Sequence, residues 1–170
     1  MPITTKSLTK TTLAYLVQGD KVLLAMKKKG FGEGKLNGIG GKVKETEGET
    51  VEQALLRETL EEIGVKPLNY KRKAILKFFF PEAPQDKNWN QKVYVFLIDK
   101  WEGEPKESDE MKPQWIPMDA IPYPRMWADD PYWLPKVLAG KNVQGEFNFN
   151  SEGGVISHSV NYPTAKKGKV

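Results

Sequence analysis

GGKVKETEGETVEQALLRETLEEIGV, residues 40–65, is the stretch from which the rest of the chain is read. It is periodic from Thr50 to Ile63, which predicts a helix. Glu49 and Glu52 stand near the start of that helix, where its dipole favours negative charge. Glu58, Glu61 and Glu62 fall at i, i+3 and i+4 and so emerge on one face. Three like charges on a face repel, a local cost unless a partner offsets it. A hard divalent cation is one such partner: magnesium takes oxygen ligands and keeps several waters when a few carboxylates and substrate phosphates hold it. Glu-rich helices also serve as plain solvated surface, and Arg57 can pair with any neighbouring carboxylate. The acid spacing alone leaves both readings open.

The whole stretch resembles the Nudix box: Gly, five residues, Glu, seven residues, Arg-Glu, an apolar residue, any residue, Glu-Glu, any residue, Gly, apolar. Glu49, Arg57, Glu58, Glu61, Glu62, Gly64 and Val65 fall in register with it. Two positions depart. Seven residues rather than five separate Gly41 from Glu49, and Thr59 stands where an apolar side chain is preferred. Extra length in a polar loop costs little free energy, and the Thr59 methyl can still pack. Outside the box, KVLLAMKKKGFGEGKLNGIGGKV, PKESDEMKPQW, MWADDPYW and QGEFNF carry the likeness from about Thr12 to Phe149. Within the family these segments resemble the oxidised purine nucleoside triphosphatases, which are 8-oxo-dGTP diphosphatases.

That resemblance implies an α/β fold, the Nudix α/β/α sandwich around a mixed β-sheet, and Mg²⁺ as cofactor, with Mn²⁺ as the alternative. It implies metal ligands at Glu58, Glu61, Glu62 and Glu110 and at the Gly40 carbonyl, with Arg57 completing the catalytic set and Glu49 tying loop to helix. It implies substrate contacts at Thr12, Lys27, Phe31, Asn37, Gly40, Gly41, Lys42, Phe78, Trp127, Asp129 and Asp130. Leu36 stands where the resembled pocket has Trp, and Gln91 falls near a pocket Met, so a looser base site is expected. Which of Glu61, Glu62 and Glu110 acts as base stays open.

The residue types suit a purine reader. Trp127 and Phe31 offer aromatic faces to a planar base, and Asn37 offers a donor and an acceptor. Asp129 and Asp130 are adjacent carboxylates that cannot both ionise cheaply if they converge on one ligand. One kept protonated can donate to a base carbonyl while the other accepts from ring N–H groups. Each has a plainer reading. Asp130 ahead of Pro131 is a good helix N-cap with Pro at N1. Trp127 alone reads as core, Lys27 as solvated, and Glu110 as a loop acid.

A chain of 170 residues, 39% hydrophobic and 28% charged, is read as one soluble globular domain with its own core, residues 11–162, between a flexible N-terminus 1–10 and a flexible basic tail 163–170. The absence of cysteine excludes a disulfide framework, a thiolate metal site and a cysteine nucleophile, and suits the cytoplasm. His158 is the only histidine, so a Ser-His-Asp triad has a single candidate, and a solvated strand position explains it better. No apolar run reaches a membrane span. A net charge of +4 lies in short Lys clusters, too dispersed for a nucleic-acid surface, so no stable nucleic-acid partner and no membrane partner are expected, and a monomer acting on a small-molecule nucleotide is. Residues 12–26 read as a hairpin about Gly19-Asp20, residues 42–44 as a short strand, 70–80 and 91–101 as strands, and 114–117 as a short edge strand. DDPYWLPKVLAG reads as a second helix, and the segments either side of Ser151 to Gly154 as a last hairpin. Six glycines in residues 27–41 predict a loop that can approach a ligand closely; it is not a Walker A loop. Rival substrates are an unmodified nucleotide, a dinucleoside polyphosphate or a triphosphorylated RNA end, and a non-catalytic nucleotide sensor is the rival of another class.

Overall fold

The computed structural model describes residues 7–164. Strand β1, Thr9–Gln18, turns about Gly19 into β2, Lys21–Lys27, as the hairpin pattern predicts. Only Val17↔Val22 and Gln18↔Lys21 pair across that turn. The rest of β1 lies in a parallel ladder with β5, Gln91–Glu102, from Thr9↔Gln91 to Leu16↔Ile98. The expected domain edge at residue 11 is therefore two residues late, because Thr9 and Lys10 already have ladder partners. The remainder of the expected flexible ends, residues 1–6 and 165–170, lies outside the described residues.

Strand β3, Leu36–Asn37, and β6, Met111–Pro117, both pair with β2. The strand expected at 114–117 thus begins three residues earlier. Strand β4, Lys66–Phe79, runs antiparallel to β5 and parallel to β7, Val143–Phe149, and β8, Val155–Asn161, closes the far edge. The order β3-β2-β1-β5-β4-β7-β8, with β6 on β2, makes an eight-stranded mixed sheet. The strand expected at 42–44 is not one. Lys42 makes a single bridge to Thr11, and a 3-10 turn at Glu45–Glu47 follows.

Alternation along the strands sends side chains to two cores. On β1 and β5, Ala14, Leu16, Tyr94, Phe96 and Ile98 join Leu55 and Ile63 of helix α1, Val51–Ile63. Tyr15, Val93 and Val95 join Trp133, Leu134 and Val137 of helix α2, Asp130–Leu138, on the other face. The result is the expected α/β/α sandwich. Exposed His158 on β8 packs its ring over Phe147 and Tyr132, a surface strand residue as expected. Among the described residues no helix is long and apolar enough to cross a membrane.

Candidate active site

Helix α1 is fixed at both ends by local chemistry. Thr50 caps it reciprocally with Gln53: the Gln53 N–H donates to Thr50 Oγ1 (3.1 Å) and the Thr50 N–H to Gln53 Oε1 (2.9 Å). The Gly64 N–H closes the other end on the Leu60 carbonyl. Thr59, the box position that prefers an apolar residue, is fully buried, and its hydroxyl donates to the Leu55 carbonyl at 2.9 Å, so the helix satisfies it internally.

Arg57 is the hub of the acidic face. Its Nε and Nη2 donate to Glu49 at 2.7 and 3.0 Å, Nη1 donates to Glu58 (3.1 Å) and Glu61 (3.2 Å), and Nη2 also reaches the Lys42 carbonyl (3.0 Å). A planar fork with five donors is what such a junction needs. The two extra loop residues are absorbed locally: the Glu45–Glu47 turn ends at Gly48, whose φ of 81° suits glycine, and the Lys44 N–H donates to Glu49 Oε1 at 2.8 Å. The Thr12 N–H donates to the Gly41 carbonyl (2.9 Å), pinning the loop to β1, and a Cβ on Gly41 would overlap the Glu58 carboxylate.

The acids differ in burial. Glu61 is 55% exposed at its side chain, whereas Glu58 is 14% exposed. Burial pushes the Glu58 carboxyl up, Arg57 pulls it back, and Glu61 and Glu110 raise it further. Glu62, buried, accepts the Gly40 N–H at 3.2 Å; desolvation first, then Glu58 and Glu110, push its pKa up to about 8. Glu110, exposed just ahead of β6, adds its negative charge to the field at both Glu58 and Glu62. The expected metal set is not a preformed cage: no three acidic side chains among the described residues converge as ligands, because Glu58 and Glu61 lean on Arg57 and Glu62 on the Gly40 N–H. The donor set itself fits a hard divalent cation. It is all oxygen, and a cation would offset both the burial and the neighbouring carboxylate charge that raise Glu58 and Glu62.

A pH effect follows for the protein held in chelator. An unfolded Glu ionises near its ordinary 4.5, but folded Glu62 resists up to about 8. The folded state then holds the extra proton, so stability falls as pH rises from about 4.5 to 8 and levels off above. At about 1.4 kcal/mol per pKa unit the melting temperature drops by on the order of 10 °C across that window. Glu62→Gln should flatten the profile; an unchanged slope in thermal melts refutes the assignment.

Beside this face, between β1 and the α2 end of the sheet, lies a cavity of about 270 Å³. All eleven substrate positions expected from the sequence line it: Thr12, Lys27, Phe31, Asn37, Gly40, Gly41, Lys42, Phe78, Trp127, Asp129 and Asp130. Phe31 lies 5.1 Å from Trp127 at a 31° tilt, and Lys35 Nζ sits 5.3 Å from the Trp127 ring centroid. Asn37 is oriented by two donors to its Oδ1, the Gly38 N–H at 2.8 Å and the Tyr15 hydroxyl at 3.2 Å. Asp129 Oδ2 accepts the Trp133 indole N–H at 2.7 Å. Asp130 is 2% exposed, and its Oδ2 has no partner among the described residues. Burial raises both carboxyls, and Asp130 goes higher because Asp129 sits beside it. The simple cap reading of Asp130 fails: the cap position falls to Asp129, no side chain caps the helix, and Asp130 is its first residue.

Two expectations change. Leu36 is fully buried in the core cluster that holds Tyr15 and does not line the cavity, whereas Gln91 does. Phe80, Phe149, Lys35, Met111 and Tyr15 belong to the site and were not expected there. FFF at residues 78–80 offered a signal for Phe80, since strand alternation puts Phe78 and Phe80 on one face.

A NUDIX domain model matches residues 8–137. The chain belongs to the Nudix family. Among Nudix proteins it is 45% identical to the "Oxidized purine nucleoside triphosphate hydrolase" of Danio rerio over 88% of this chain and 92% of that one. It is 41% identical to the Mus musculus protein of the same description, over the same shares of both chains. The crystal structure of the MutT mutator protein from Bacillus halodurans superposes with a TM-score of 0.74, covering 91% of this chain and 98% of that one at 25% identity. Divalent metals are general in the Nudix family, in keeping with the donor set at α1.

Proposed function

We propose that this Nudix protein hydrolyses oxidised or otherwise modified purine nucleoside triphosphates, such as 8-oxo-dGTP, to the monophosphate and pyrophosphate, acting as a cytoplasmic monomer that clears the nucleotide pool. The observation that carries the reading is the buried Asp129–Asp130 pair inside an aromatic-walled cavity beside the acidic face. Two relatives at 45% and 41% identity, both described as oxidised purine nucleoside triphosphate hydrolases, support it. Mg²⁺, or Mn²⁺ in its place, held by Glu58, Glu61, Glu62, Glu110 and the Gly40 carbonyl, would neutralise phosphate charge and lower the pKa of water.

The chain's own residues do the rest. Arg57 holds Glu58 and Glu61 at one nitrogen, so the acids act from fixed positions. Lys27, half-buried on the cavity wall, supplies positive charge for a phosphate oxygen. A carboxylate among Glu61, Glu62 and Glu110 takes the proton from the attacking water, which displaces pyrophosphate in line. Trp127, backed by Phe31 at 5.1 Å, offers its ring face to the base. Asp130, kept protonated by its surroundings, donates to a base carbonyl, and Asp129 accepts a ring N–H.

The test is a panel of 8-oxo-dGTP, 2-hydroxy-dATP, O6-methyl-dGTP, dGTP and a dinucleoside polyphosphate, each scored as kcat/KM with Mg²⁺. A modified purine triphosphate should win by about tenfold or more, equivalent to about 1.4 kcal/mol. Equal rates throughout would defeat the base reading and leave a general diphosphatase. Tight binding without turnover would mark a sensor.

A further inference from the structure

We infer that Tyr15 is a positioning residue for base recognition: its hydroxyl fixes the Asn37 carboxamide so that the NH₂ group faces the cavity and demands a hydrogen-bond acceptor on the base. This rests on the purine triphosphate reading above. Tyr15 is fully buried on β1, and its ring meets Trp133 edge-on at 6.1 Å between centroids. A phenol buried in an apolar core needs a partner for its O–H. That partner is Asn37 Oδ1, at 3.2 Å.

The amide orientation follows from the second bond. The Gly38 N–H can only donate, and it reaches the same side-chain atom at 2.8 Å, which must therefore be the oxygen. Tyr15 is then the donor in its bond, and both lone pairs of Oδ1 are engaged. No acceptor among the described residues takes the Asn37 NH₂, and Asn37 lines the cavity. Its two N–H groups are therefore offered to a ligand, and a base edge without an acceptor there would leave them unpaired. Without the hydroxyl, one of the two bonds that set this orientation is gone, and the amide can turn its oxygen inward to meet a donor.

Tyr15 also joins the two halves of the base reader. Trp133, which its ring contacts, donates to Asp129 Oδ2 at 2.7 Å. Asn37 and Asp129 are thus braced by one side chain, through its hydroxyl and its ring respectively. Tyr15→Phe separates the two, because it keeps the ring against Trp133 and removes only the oxygen.

The experiment compares dGTP with 3-deaza-dGTP, 7-deaza-dGTP and the 2-aminopurine deoxynucleoside triphosphate, which lack the acceptors N3, N7 and O6 respectively. In the wild-type protein the analogue missing the acceptor that Asn37 reads should lose about tenfold in kcat/KM. Tyr15→Phe should shrink that penalty to about threefold or less, with the change for dGTP falling mainly in KM. Adding Tyr15→Phe to Asn37→Ala should then change nothing further. Melting temperatures recorded alongside separate this from a packing defect, which lowers stability and leaves the analogue penalty intact. A full penalty in Tyr15→Phe, or no penalty for any analogue in the wild type, overturns the inference and leaves the diphosphatase reading standing. If the wild type turns over no purine triphosphate, the functional reading itself fails and takes the inference with it.

Discussion

Glu61→Gln should lower kcat by about a thousandfold while moving the melting temperature by no more than about 2 °C. The separation comes from exposure. The Glu61 side chain is 55% exposed, and it accepts a hydrogen bond from Arg57 Nη1 at 3.2 Å. An i, i+4 pair of this kind contributes only about 0.3–0.5 kcal/mol to stability. Glutamine keeps the volume and can still accept from Arg57, so the fold loses little. The negative charge is what disappears, and with it either a cation ligand or the base that takes the proton from water. Glu62 offers no such clean test, since its burial makes any substitution a stability change as well. Steady-state kinetics beside a thermal melt decide the matter: wild-type turnover in Glu61→Gln removes the acidic face from the mechanism.

Arg57→Ala should be the most damaging single change to the fold around the site. It strips the guanidinium from Glu49 and Glu58, whose side chains are 12% and 14% exposed. Removing one partner of a half-buried, multiply hydrogen-bonded ion pair costs about 2 kcal/mol, or roughly 5 °C for a domain of this size. Loss of aim at Glu58 and Glu61 should cut kcat by about a hundredfold as well. The deficit carries its own pH signature. Hydrogen bonding to Arg57 holds the Glu49 carboxyl down to about 2, below its ordinary 4.5. Stability from that pair is present above about 4.5 and is lost as pH falls towards 2. Parent and variant melting curves should therefore converge in acid and stand furthest apart at neutral pH. A constant gap, or a gap under about 2 °C at pH 7, would show that the hub is not structural. Arg57→Lys should fall between, since an ammonium keeps the charge and loses the fork.

Helix α1 was legible because its instructions are local. The periodic run and the acid spacing lie within a few residues of what they determine, as do the Thr50 cap and the Gly64 closure that the structure adds. The cavity was legible for a different reason: its residues match a long family pattern, and all eleven line one space. What stayed hidden depends on distant parts of the chain. Residues 12–26 read correctly as two strands, yet β1 spends its length on β5 rather than on its hairpin neighbour, a pairing that local periodicity cannot announce. Tyr15 reads as one more apolar strand residue, because its hydroxyl partner is 22 positions away. Asp130 reads as a helix cap because Pro131 follows it, and only the surrounding core turns that carboxyl into a buried, unpartnered group. Leu36 reads as a pocket position, yet it is fully buried in the core and does not line the cavity.

The parallel ladder between β1 and β5 also fixes the order in which the chain can become an enzyme. Joining Thr9 to Gln91 and Leu16 to Ile98 closes a loop of roughly 80 residues, and that entropy must be met before the contacts return anything. Helix α1, capped by its own neighbours, can form much earlier. Thr12, Phe78 and Gln91 share one wall only when that closure is made, whereas Glu58, Glu61 and Glu62 share a face as soon as α1 forms. The wall that carries Thr12 and Gln91 is complete only once the ladder has joined Thr9 to Gln91, so the choice of a substrate waits on that long closure.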